Sequence, residues 1–175
     1  MTSPSKIRVD FVALLAACAL FLSTVEYLVP KPLPFMRLGL ANLPLIIALG
    51  LLSWKEYLLL ALLKVLGQAL ITGTIFSYIV LFSIVGTTAS VLLMYLTHSL
   101  FRKWVSLVGV SIAGAMGSNS AQLLLSRYLL FGEAAKLIAP PFLIVGLITS
   151  VLLGLFAQQF ILKSRWYKKY LEGGR

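Results

Sequence analysis

Residues 77–97 and 138–162 contain no Asp, Glu, Lys or Arg, and residues 11–25 and 105–126 are equally free of charge. Uncharged apolar runs of this length are what a chain needs to cross a bilayer, whose hydrocarbon core takes about 20 apolar helical residues. Over the whole chain 60% of residues are hydrophobic and only 11% charged, against about 25% charged in a soluble domain. The sequence reads as an all-α integral membrane protein. Its 175 residues allow roughly five or six crossings and leave no length for a soluble catalytic domain.

Six spans are expected. The first covers 9–28, behind a polar start holding Lys6 and Arg8, and ends at Glu26 and Tyr27. Leu15-Ala16-Ala17-Cys18 has the form of a lipoprotein cleavage box, but the apolar run continues to Val25, so an uncleaved helix is expected. Pro30, Pro32 and Pro34 then alternate in a stretch that favours an extended loop up to Arg37. The second span, 38–53, is short, with Asn42 placed to cap it and Pro44 in its first turn, so regular helix should begin near Pro44. Trp54-Lys55-Glu56 reads as a tight turn before the third span, 57–72, which carries Lys64 in its middle. The remaining spans are expected at 77–97, 105–130 and 138–163, the last opening on Pro140-Pro141. Residues 1–163 thus form one six-helix membrane domain, and 164–175 a basic tail.

Fifteen Lys and Arg against five Asp and Glu give a net charge of +10. In a soluble chain that balance would suggest nucleic acid; here the tendency of cytoplasmic loops to be basic accounts for it, and no nucleic-acid partner is expected. With the N-terminus inside, the cytoplasmic segments hold Lys6, Arg8, Lys55, Arg102, Lys103 and the five basic residues from Lys163 to Arg175. The outer loops hold Lys31, Arg37 and Lys136, while Lys64 and Arg127 fall within spans. Ten against three predicts a multi-pass protein of the cell membrane with both termini cytoplasmic.

Charges within or beside a spanning helix are costly and mark a site by default. Glu26, Lys31, Arg37, Arg127, Glu133 and Lys136 all fall toward the outer face, with Lys64 near mid-span. This net positive half suits a substrate carrying phosphate or carboxylate. Lys31, Arg37 and Lys136 read equally well as headgroup contacts, because flanking cations snorkel; Lys64 and Arg127 are harder to explain that way. Ser83, Thr87, Ser90 and Met94 share one helical face, as do Ser111, Ala115, Asn119, Gln122 and Ser126. Small and hydroxyl side chains in such stripes serve helix packing. Asn119 and Gln122 carry amides that need partners where water is scarce, and so point to a polar cavity.

Two further features are ambiguous at this level. Arg37 to Asn42 leads into a helix N-terminus, which attracts anions, and short helices at membrane depth mark transporter sites; a simple kink at Pro44 explains the same break. Ala13 and Ala17, and separately Gly146, Ser150 and Gly154, have the small-xxx-small spacing that lets helices approach closely, inside the bundle or against another protein.

Several chemistries are excluded. The acids Asp10, Glu26, Glu56, Glu133 and Glu172 are scattered, so no aspartate-rich cluster can hold magnesium on a diphosphate. His98 is the sole histidine and Cys18 the sole cysteine, which argues against a zinc centre and a disulfide framework. No Gly-rich phosphate loop with its lysine is present, so the chain cannot use ATP by that route. Neither a cofactor nor catalysis by the chain alone is expected, prenyl transfer included.

Glu26-x-x-x-Pro30-x-Pro32-x-Pro34, the run Arg37-Leu38-Gly39-Leu40-Ala41-Asn42, Gly73 with Phe76, Ser83-x-x-Gly86, Ser90-x-x-x-Met94 and Ser111-Ile112-x-Gly114-Ala115-x-x-x-Asn119-x-x-Gln122 together resemble the Gx transporter family. Its members are often labelled heptaprenyl diphosphate synthase component I. That family resembles the substrate-binding S components of energy-coupling-factor transporters, which implies a six-helix fold, cytoplasmic termini and a pocket open to the outside. It also implies a coupling subunit and an ATPase pair as partners. Carried over, it implies substrate contacts from Glu26, Arg37, Asn42, Asn119 and Gln122, and docking on the coupling subunit through Ala13 and Ala17. The chain departs from the family pattern in having Ser118-Asn119 for an expected His-Asn and Lys64 for an expected arginine, which puts the ligand's identity in question. The implied function is uptake of a small anionic, isoprenoid-related or vitamin-like molecule. An accessory subunit of a prenyl diphosphate synthase and a stand-alone carrier are the alternatives.

Overall fold

The computed structural model describes residues 4–30, 38–101, 104–165 and 167. Its helices are α1 (Pro4–Leu28), α2 (Leu43–Ala48), α3 (Trp54–Ile71), α4 (Tyr78–Phe101), α5 (Leu107–Ser126) and α6 (Ala135–Lys163). A 3-10 turn over Leu40–Asn42 leads into α2, and a π-helical turn over Arg127–Phe131 with a 3-10 turn over Gly132–Ala134 joins α5 to α6.

Helix boundaries differ from those expected: α1 starts at Pro4, α4 runs on to Phe101, and α5 gives way to the π-helical turn after Ser126, while three further differences bear on the site. Trp54-Lys55-Glu56 is the first turn of α3, not a separate turn: Glu56 Oε2 accepts from the Ser53 N–H and the Ser53 hydroxyl, both at 2.8 Å. The Ser-x-x-Glu capping spacing was readable in the sequence. α6 starts at Ala135, so Pro140 and Pro141 lie inside it, and their missing N–H groups leave two carbonyls of the first turns without helical donors. α2 does begin beside Pro44, but its six residues extend only about 9 Å at 1.5 Å per residue, well short of a bilayer core. Leu45, Ile46 and Ala48 of this short helix are nonetheless buried in the bundle.

Val9–Leu28, Tyr78–Phe101 and the continuous helical stretch Leu107–Lys163, which contains α5 and α6, are long and apolar enough to cross a membrane. α3, at 18 residues, carries Lys55, Glu56 and Lys64. The surface is unusually apolar, and several polar side chains lie inside beside the apolar core. Phe21, Leu70, Ile144 and Leu152 face outward, while Ser23, Lys64, Ser90, Asn119 and Gln122 are buried. A hydrocarbon solvent accounts for both halves of this pattern.

The interior is layered. At the end holding the starts of α1, α3 and α5, a large apolar cluster joins Phe11, Leu15, Leu45, Tyr57, Met94 and Val110. Trp54 and Tyr95 pack beside it with ring centroids 4.3 Å apart. Toward the opposite end Phe82 and Phe142 form a smaller cluster with Phe131. α5 packs closely on both α4 and α6, α1 on α3, and α2 bridges to α6.

Candidate binding cavity

The cavity is assembled from the end of α1 inward. Glu26 occupies the last turn of α1, and its Oε1 accepts the Leu38 N–H at 2.7 Å, fastening the returning chain to that helix. Gly39 then adopts φ +87°, a left-handed conformation that other residues rarely take. This allows the Asn42 N–H to reach the Gly39 carbonyl at 2.8 Å. The resulting turn presents Asn42 to α3, where Lys64 Nζ donates to Asn42 Oδ1 at 2.5 Å. Lys64 is 3% exposed and Glu26 4%.

The opposite wall comes from the last three helices: Thr87 on α4, Ala115, Ser118 and Asn119 on α5, and Gly146 on α6. Gly146 lets Asn119 lie close against α6: a Cβ there would lie 1.8 Å from Asn119 Nδ2 and force that side chain to move. Gln68, one turn beyond Lys64, completes the lining. The space left among these groups is about 20 Å³, on the order of a single water-sized volume. One ammonium, one carboxylate, the amides of Asn42, Gln68 and Asn119, and two hydroxyls face it. Such a set can grip a small group bearing both hydrogen-bond acceptors and donors, and the buried ammonium gives it an anchor for negative charge.

Of the residues singled out from the sequence, Glu26, Asn42, Lys64 and Asn119 meet in this cavity. Gln122 is fully buried and stands one step behind it, donating from Nε2 to Ser118 Oγ at 3.0 Å. Its Oε1 has no hydrogen-bond partner among the described residues. Arg127 is exposed in the π-helical turn and pairs with Glu133, which also pairs with Lys136. Hydrogen bonding from Lys136, then from Arg127, holds the Glu133 carboxyl below the usual carboxylate range. Lys31 and Arg37 lie outside the described residues.

The two small-residue patterns separate. Gly146, Ser150 and Gly154 are buried against α5, where Ser111 Oγ donates to the Ser150 carbonyl at 2.8 Å, so that stripe packs the bundle. Ala13 and Ala17 face outward on α1. Thr87, Ser118 and Gln68 were not singled out as site residues. The sequence signals for them are the spacing of Gln68 one turn after Lys64, the adjacency of Ser118 to Asn119, and the place of Thr87 in the Ser83–Met94 stripe.

No curated protein and no solved structure matches the chain. The cavity residues, from Glu26 to Gly146, fall within residues 15–160, which match the family model for heptaprenyl diphosphate synthase component I, and the chain belongs to that family.

Proposed function

We propose that the chain is a membrane-embedded substrate-binding subunit of the S-component kind, serving uptake of a small anionic, isoprenoid-related or vitamin-like molecule. The observation that carries this reading is the convergence of Lys64 and Glu26, both nearly without exposure, with Asn42 and Asn119 on one cavity. A pair of charges is expensive in a bundle interior bounded by hydrocarbon, and sites are where such expense is retained. Ser118, held by Gln122, and Gln68 and Thr87 complete the contacts. Arg37 remains a proposed contact on the resemblance.

On this reading residues 1–163 make six crossings, the second being the short segment 38–53, with both termini and the basic tail in the cytoplasm. The apolar cluster at the end holding the starts of α1, α3 and α5 closes the cytoplasmic side of the cavity. Ala13 and Ala17, on the outward face of α1, dock on a coupling subunit whose ATPase pair supplies the energy.

The family description favours a second reading, in which the chain is a membrane accessory subunit of a prenyl diphosphate synthase. The single aspartate of the sequence, Asp10, supports placing catalysis in a partner. Affinity purification of the tagged chain from its native membrane separates these readings. Co-purification of an ATPase pair with a coupling subunit supports uptake, whereas a soluble synthase supports the accessory role. Ligand flux in vesicles containing this chain alone would replace both with a stand-alone carrier.

A further inference from the structure

Thr87 borders two spaces. One is the polar cavity; the other is a groove between α3 and α4, walled by Leu58, Ala61 and Val65 on one side and by Ile84, Val91 and Leu92 on the other. Apart from the hydroxyls of Thr87 and Thr88 its side-chain walls are hydrocarbon, and Leu58, Ile84 and Leu92 leave its rim exposed. Between Ile84 and Leu92 it follows α4 for about 12 Å at 1.5 Å per residue.

The volumes decide how these spaces relate. The polar cavity measures about 20 Å³ and the groove about 330 Å³, while small-molecule sites run from about 300 to 1,000 Å³. The cavity alone is too small for a whole ligand, and no charged group among the described residues lines the groove to orient one. They share Thr87 in their linings, which sets a polar end beside an apolar groove.

We infer that the ligand is a single-chain anionic amphiphile, with its head against Lys64, Asn42 and Asn119 and its chain passing Thr87 into the α3–α4 groove. This rests on the binding reading above and adds the ligand's chemical class. Glu26 lines the same cavity, with its Oε1 accepting the Leu38 N–H, so the head is placed on the side of Lys64, Asn42 and Asn119. Burial of the chain supplies affinity without charge, and the head supplies selectivity.

The test uses the protein in phosphatidylcholine nanodiscs, titrated calorimetrically with ethyl, butyl and octyl phosphate, and with octyltrimethylammonium as a chain of the same length with the opposite head. Wild-type affinity should rise from ethyl to octyl by up to about fourfold per methylene, and octyltrimethylammonium should bind far more weakly. Leu58→Trp and Ile84→Trp, both at the exposed rim, should bind ethyl phosphate as before and lose the gain with chain length. The same gain in both variants would put the chain in the bilayer or elsewhere and overturn the inference, as would equal binding of the cationic amphiphile. Constant affinity from ethyl to octyl would overturn it while leaving a head-sized binding site in place. Absence of binding by every phosphate probe would overturn both the inference and the anionic binding site.

Discussion

Lys64→Met separates a lysine kept for binding from one kept for structure. The substitution retains much of the side-chain length and removes the ammonium. Two terms then oppose each other. Deleting a charge from the middle of a membrane helix relieves a cost of about 2.5–3.5 kcal/mol on insertion scales. Against this, the bond from Lys64 Nζ to Asn42 Oδ1 is lost, and a hydrogen bond to a charged group is worth about 1.5–3 kcal/mol. These two terms nearly cancel once the Glu26 carboxylate on the same cavity is neutralised as well, so Lys64→Met combined with Glu26→Gln should change stability by no more than about 1–2 kcal/mol. Binding should suffer much more, because no other ammonium lines the cavity among the described residues. A lost charged contact of about 1.5–3 kcal/mol corresponds to a roughly 10- to 150-fold weaker complex. Tryptophan fluorescence during thermal unfolding in nanodiscs gives the first quantity, and retention of the small molecule carried through purification gives the second. A variant strongly destabilised yet still loaded with ligand would refute the reasoning and make Lys64 a structural residue.

Gly146→Ala and Gly154→Ala form a matched pair on α6. The added methyl meets Asn119 Nδ2 at 1.8 Å in the first and the Val108 backbone at 2.6 Å in the second; each should destabilise by about 1–3 kcal/mol through overpacking. Only Gly146→Ala should lower ligand occupancy, and equal occupancy in the two would remove Asn119 from the site. Arg127→Ala should leave occupancy unchanged in native mass spectra, because that side chain is exposed on Glu133. Glu133 has a lowered carboxyl pKa, so its contribution to stability is present above the ordinary carboxylate value and is lost as pH falls through the lowered one. Accordingly, the difference in melting temperature between wild type and Glu133→Gln should be small at neutral pH and vanish in acid. Ala13→Leu should abolish co-purification of a coupling subunit without changing ligand occupancy, and loss of the ligand instead would relocate the docking face.

The helical character and approximate positions of the long helices were legible because hydrocarbon demands uncharged runs, as over Tyr78–Phe101. The start of α3 was missed although its signal was local: Ser53 and Glu56 form a capping box whose spacing stood in the sequence. Within the site, Lys64, Glu26 and Asn119 could be picked out because buried charge and amide are conspicuous among leucines. The direction in which each side chain points was not legible. Gln122 and Asn119 lie three residues apart, and only packing of the helices decides that Asn119 faces the cavity while Gln122 stands behind Ser118. Nor does sequence spacing reveal that α3 and α4 separate into a groove beside Thr87, since that depends on how closely two helices approach.

Native mass spectrometry of the chain taken from its own membrane tests the binding role most directly. The predicted spectrum shows the wild-type chain carrying a small anionic molecule, with that mass absent or greatly reduced in Lys64→Met and Asn119→Ala preparations that melt as folded proteins. Bare protein in every wild-type preparation, or an adduct equally abundant in all three, would contradict a ligand site at Lys64, Asn42, Glu26 and Asn119.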